Sequence, residues 1–146
     1  MPRNVFQPAL TILLAFLLHA TFAYPALAQC VVNEDQEVTA LSAIAKDYFG
    51  NSVALSGTTA VIGAPGENAS PSHSGSAFVF EFDGNQWVQR AKLTASNGSI
   101  VDYFGAAVAM DGDVIVVGAW RADPAGLNDA GAAYVFAKPG GGWADM

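Results

Sequence analysis

The chain has 146 residues, with 6 Lys and Arg against 13 Asp and Glu and a formal net charge of −7. That acidity sets it against phosphate backbones and anionic lipid surfaces, so nucleic acid is not an expected partner. Its single cysteine excludes an internal disulfide, and the length holds one ordinary domain or a few repeat units.

The first residues read as a targeting segment. Arg3 supplies a short positive start, Ala9 to Leu18 is an unbroken apolar run, and Ala26-Leu27-Ala28 has the small residues of a cleavage site. Together they predict a secretory signal peptide over 1–28, cut after Ala28. The apolar run is about half the roughly 20 residues of a spanning helix, so no transmembrane segment is expected after its removal. The expected destination is secreted, periplasmic or cell-surface. Leu27-Ala28-Gln29-Cys30 resembles the lipobox of bacterial lipoproteins, although Gln29 stands where that pattern wants a small residue. Lipid anchoring at Cys30 is therefore the second reading and a free thiol the first. Without 1–28, whose only Lys or Arg is Arg3, the formal charge becomes −8.

Residues 29–36 carry Glu34 and Asp35 with no periodicity and are expected to be a flexible lead-in. From there the chain repeats itself. Asp47-Tyr48-Phe49-Gly50 running to Val61-Ile62-Gly63-Ala64-Pro65 returns 55 positions on, as Asp102-Tyr103-Phe104-Gly105 running to Val116-Val117-Gly118-Ala119-Trp120. Gly75-Ser76-Ala77-Phe78-Val79-Phe80 returns as Gly131-Ala132-Ala133-Tyr134-Val135-Phe136, and Trp87 as Trp143, both 56 positions on. Glu37-Val38-Thr39-Ala40 aligns with Lys92-Leu93-Thr94-Ala95, which sets the units at 37–91 and 92–146. A period of this length marks a repeat architecture whose units bury their apolar faces on one another.

Four short strands are predicted in unit one: 51–55, 59–63, 76–82 and 86–93. Ser56-Gly57 and Asp83-Gly84 are the tight turns, and the Pro, Gly, Asn and Ser of 64–74 form a loop. Unit two repeats the plan at 106–110, 114–118 and 132–137, with a turn at Asp111-Gly112, a loop over 119–130, and a final strand from Trp143 cut short. The mature chain shows no amphipathic helical spacing. Four strands in meander order are the plan of a propeller blade.

Phe49-Gly50 followed by Gly63-Ala64-Pro65, and Phe104-Gly105 followed by Gly118-Ala119-Trp120, resemble FG-GAP repeats. These are the blades of the integrin α-subunit type β-propeller and of many exported bacterial proteins, and the Asp-Tyr-Phe-Gly opening is more similar to the bacterial subgroup. The resemblance implies an all-β fold of two four-stranded antiparallel blades of a β-propeller, an incomplete ring where full members have seven blades. Either the chain is a fragment of a longer propeller, or several copies self-associate to complete one. Asp47, Phe49, Gly50, Gly63, Ala64 and Pro65, with Asp102, Phe104, Gly105, Gly118 and Ala119, are the structural motif. Asp47 and Asp102 are expected to satisfy backbone N–H groups. Tyr48 with Phe49, Tyr103 with Phe104, and Trp87 with Trp143 are expected in the core between blades.

Many family blades hold calcium between these motifs, in a loop rich in spaced Asp and Asn. Here the interval holds only Ser56-Gly57-Thr58-Thr59 or Asp111-Gly112-Asp113. Calcium needs six to eight oxygens, so no metal site and no cofactor is expected there. Catalysis also finds little to work with, since His73 is the only histidine outside the leader and no phosphate loop or Cys/His cluster occurs. No catalytic residue is assigned and no enzyme is expected. Loops carry specificity on a rigid scaffold, so the ligand-binding candidates are Glu67 and Asn68 in unit one, and Trp120, Arg121, Asp123, Asn128 and Asp129 in unit two. The expected function is a non-enzymatic module for protein or glycan interaction at the cell surface. The alternative is purely structural blades of a larger propeller whose activity lies elsewhere.

Overall fold

Among the described residues seven strands form in chain order, and within each sheet a strand pairs only with its neighbours in sequence. The computed structural model describes residues 35–67 and 74–143, all within one unit, Glu34–Met146. The predicted signal peptide and Cys30 lie outside the described residues, as do Asn68 and His73. β1 (Ser52–Ser56), β2 (Thr59–Ala64), β3 (Ser76–Phe82) and β4 (Trp87–Leu93) make one antiparallel sheet; β5 (Phe104–Asp111), β6 (Val114–Ala119) and β7 (Ala132–Ala137) make a second. Each sheet is a meander, the plan of a propeller blade, and two of them do not close a ring. Among the described residues the only helical element is a 3₁₀ turn, Pro124–Gly126.

The first hairpin of each sheet closes through two residues, because Ser56 pairs with Thr59 and Asp111 with Val114. Gly57 and Gly112 supply the positive φ that such tight turns require, at 57° and 53°. Two features differ from the sequence reading. β5 starts at Phe104 rather than 106, since the Phe104 N–H donates to Ser74 O at 2.8 Å and its backbone bridges to Gly75 of the other sheet. The second sheet has three strands among the described residues, and Trp143, read as the start of a fourth, is buried beside them at 1% exposure.

The core lies between the sheets. Val61, Ala77, Val79, Ala91 and Leu93 of the first pack against Phe104, Ile115, Val117 and Ala119 of the second, with Trp143 beside them. Each large aliphatic or aromatic side chain so buried contributes about 1.5–3 kcal/mol. On its other face the first sheet presents Ile62, Phe78 and Phe80, which are covered by Phe49, Val38 and Ala40. β2 is therefore buried at every position, whereas β6 alternates. The first sheet is covered on both faces at β2 and β3, with Val53 and Leu55 of β1 left exposed on the outer one, and the second sheet is covered on one face.

Polar ties rim the contact between sheets. Asn51 Nδ2 donates to Ala106 O at 2.9 Å, Ser52 Oγ to Gly105 O at 2.8 Å, and the Gly112 N–H to Ser56 Oγ at 3.1 Å. Lys138 Nζ donates to Glu81 Oε1 at 2.9 Å, and this hydrogen bond raises the lysine pKa above its ordinary value. A cation whose pKa is raised by folding stabilises fully below the unfolded value and loses that contribution as pH rises through the folded one. The wild-type urea midpoint is thus expected to fall above pH ~10 more steeply than that of Lys138→Met. Identical alkaline profiles would show that the pair adds nothing. Tyr134, raised first by burial, falls with the same sign in both proteins.

Candidate functional site

Each Asp-Tyr-Phe-Gly motif is a turn of unusual backbone. Lys46 and Tyr48 have φ of 74° and 55°, and their repeat counterparts Val101 and Tyr103 have 62° and 57°. Left-handed φ in residues with a Cβ costs roughly 1–3 kcal/mol each and persists only where neighbours impose it. Here the motif aspartates impose it. Asp47 Oδ2 accepts the Ile44 N–H at 2.7 Å, Asp102 Oδ2 accepts the Ser99 N–H at 2.6 Å, and both aspartates are buried. Their carbonyls accept the N–H of Gly66 at 3.1 Å and of Arg121 at 3.3 Å, stitching the motif to the loop after the second strand.

This turn separates the two aromatics of each motif. Phe104 goes fully inward, edge-on to Tyr134 at 5.3 Å and Phe136 at 6.0 Å, and Phe49 packs on Phe78 at 5.7 Å. The tyrosines go the other way, which corrects the expectation that they belong to the core. Tyr48 is 64% exposed, and Tyr103 is half-buried beneath Trp120.

Between the sheets the tyrosines open a cleft of about 360 Å³. Tyr48, Asn51 and Pro65 line it from the first sheet, and Tyr103, Ala106 and Trp120 from the second. Pro65 and Trp120 are repeat counterparts, so the two walls are versions of one another. Asn51 is held in place by its bond to Ala106 O. Trp120, 62% exposed, lies parallel to Tyr103 with centroids 5.5 Å apart and an interplanar angle of 6°. The Arg121 guanidinium sits 5.7 Å from the indole centroid. Arg121 Nε donates to Asp129 Oδ1 at 2.8 Å, which raises the arginine pKa, and the Asp129 N–H donates to Asp123 Oδ1 at 2.6 Å. An exposed pair of this kind adds little stability. It instead fixes the loop that carries the tryptophan.

The structure therefore brings Trp120, Arg121, Asp123 and Asp129 together, with Asn128 exposed on the same loop. Asp129 holds the Arg121 cation, and the Asp123 carboxylate caps the Asp129 N–H. Among the described residues no three His, Cys, Asp or Glu side chains gather as metal ligands. Glu67 does not join the group. It is 6% exposed, accepts the Ser76 hydroxyl at 2.7 Å and the Lys92 ammonium at 2.8 Å, and so ties the chain just after β2 to β3 and β4. Its counterpart Ala122 is equally buried. Tyr48, Asn51, Tyr103 and Ala106 are the lining residues that sequence reasoning missed as site residues. A second cleft, of about 280 Å³, runs along Gln36–Leu41 beside Trp87 and Gln89; Gln36 and Trp87 close it with a pair of hydrogen bonds at 3.2 and 2.7 Å.

A family model described as FG-GAP repeat matches residues 32–80 and 87–136. No curated protein matches the chain.

Proposed function

The chain belongs to the FG-GAP repeat family, and on that premise we propose that it is an exported, non-enzymatic recognition module that binds protein or glycan at the cell surface. The observation that carries this reading is the aromatic cleft. Ligand sites are concave, largely apolar and preformed, with few polar groups, and they favour the seams between structural units. Trp120 is held in one orientation by Tyr103 and by the Arg121–Asp129–Asp123 chain, so little freedom is lost on binding. The lining contains no carboxylate, histidine or cysteine, which supports binding rather than catalysis. Export is supported by the charge and apolar pattern of residues 1–28.

The test is a panel of immobilised glycans and envelope proteins, probed with wild type and with Trp120→Ala. Wild type is expected to bind a subset, and loss of a central tryptophan anchor to weaken that binding by about 30-fold, the scale of a hot-spot truncation. Near-ultraviolet circular dichroism controls for the fold. Binding unchanged by Trp120→Ala, or no binding anywhere on the panel, would leave the blades as scaffold only.

A further inference from the structure

The second sheet has an open face with the chemistry of a covered one. Its outward positions are Ala107, Ala109, Val114, Val116, Ala133 and Val135, with Val135 68% and Val114 42% exposed. Ala109, Val114 and Val116 also line a shallow groove of about 160 Å³ on this face. Patches of this kind mark interaction sites. What covers this one follows from the internal repeat. The counterparts of Val116, Ala133 and Val135 are Val61, Ala77 and Val79, which are fully buried by the Phe104, Ile115 and Val117 face of the second sheet.

We infer that the open face docks a second copy of this chain, which places its first sheet against it head to tail. The docking face of that copy carries Phe49, Ile62, Phe78 and Phe80, the repeat counterparts of Phe104, Val117, Tyr134 and Phe136. Val38 and Ala40 on that face stand where Leu93 and Ala95 stand in the contact within the chain, so they travel with the docking copy and fill the same place.

Three details at the rim fit the arrangement. Gly63 lies where a Cβ would run into the Gly105 carbonyl of the adjoining sheet, which is why glycine is needed there. Its counterpart Gly118 has ordinary φ, and a Cβ there would meet nothing nearer than Ala107 at 3.5 Å. A strand glycine with no local reason marks a close backbone approach, here by Gly50 of the docking copy. Second, the Glu81–Lys138 ion pair has Ala137 and Phe82 as counterparts, so both members become apolar together and no charge is buried without a partner. Third, Ser56 Oγ, which accepts the Gly112 N–H, is replaced by Asp111, whose carboxylate can accept the Gly57 N–H of the docking copy. Ala106 and Ala107 replace Asn51 and Ser52, which removes two hydrogen bonds and makes contact between copies weaker than contact within one. A head-to-tail contact closes into a ring where the rotation allows and otherwise extends into an open chain of copies.

The experiment is light scattering after size exclusion on the purified protein over a range of concentrations. Wild type should run as a discrete species of several copies that dissociates on dilution. Ala137→Glu places a carboxylate opposite Phe82 and should weaken association by at least about tenfold. Adding Phe82→Lys rebuilds the ion pair of the internal contact and should restore the species. Both positions are exposed in the single chain, so its fold is not at stake. A wild type that stays monomeric at every concentration, or an assembly indifferent to Ala137→Glu, overturns the proposal, as does a double variant that associates no better than Ala137→Glu alone.

Discussion

Phe104→Ala should lower the stability of the chain by about 3–5 kcal/mol, the usual range for emptying a fully packed phenylalanine site. Phe104 is 0% exposed and holds Tyr134 and Phe136 edge-on, within the single cluster that joins the two sheets. Its backbone is tied to Ser74 and Gly75 just ahead of β3, so the cavity cannot close by simple relaxation. With urea slopes of about 1–3 kcal/mol per molar, the midpoint should drop by roughly 2 M. Phe49 is the internal control. It holds the same motif position but is half-buried, packed on Phe78 and Phe80 at the outer face of the first sheet, and should cost about half as much. Equal losses at the two positions would show that burial between sheets is not what distinguishes them.

Gly63→Ala should be comparably damaging for the opposite reason, an excess of atoms. The new methyl runs into the Gly105 carbonyl oxygen and the Ser52 hydroxyl, and the carbonyl is backbone of the adjoining sheet that cannot swing aside. Overpacking of a tight contact costs about 1–3 kcal/mol, and more where backbone must move. Separation of the sheets also breaks the Ser52–Gly105 hydrogen bond. Gly118→Ala, the same change one repeat later, meets only Ala107, at the ordinary contact distance of 3.5 Å or more. At concentrations where the chain is monomeric it should be neutral or stabilise by up to about 1 kcal/mol, since alanine narrows the unfolded ensemble. Chemical denaturation of the pair measures the difference directly. A matching loss at both positions would place the cause in the strand itself rather than in the neighbouring sheet.

These contrasts come from one circumstance. Sequence repeats put nearly identical residues in two places, and the fold gives them different surroundings. Val79 and Val135 are the same side chain at the same repeat position, the first at 0% exposure and the second at 68%.

The sequence alone determined the period, the strand positions and the turns, because those depend on neighbours within a few residues. The aromatic and β-branched residues of 76–82, and their repeat at 132–137, predict β3 and β7 to the residue, and a glycine just after Ser56 and after Asp111 suits a two-residue turn wherever it occurs. The loop candidates Trp120, Arg121, Asp123 and Asp129 were also legible, as residues that one repeat has and the other lacks. Only the tertiary structure decided which member of each Tyr-Phe pair is buried. That choice rests on left-handed backbone at Tyr48 and Tyr103, imposed by buried aspartates and by the loop that crosses above them. It also decided that Glu67 is buried, because Lys92, 25 positions away, reaches it only once β4 is in place. The cleft shares this origin. Its walls come from two repeats, and no local rule states how far apart two sheets hold their tyrosines until the apolar core between them has packed.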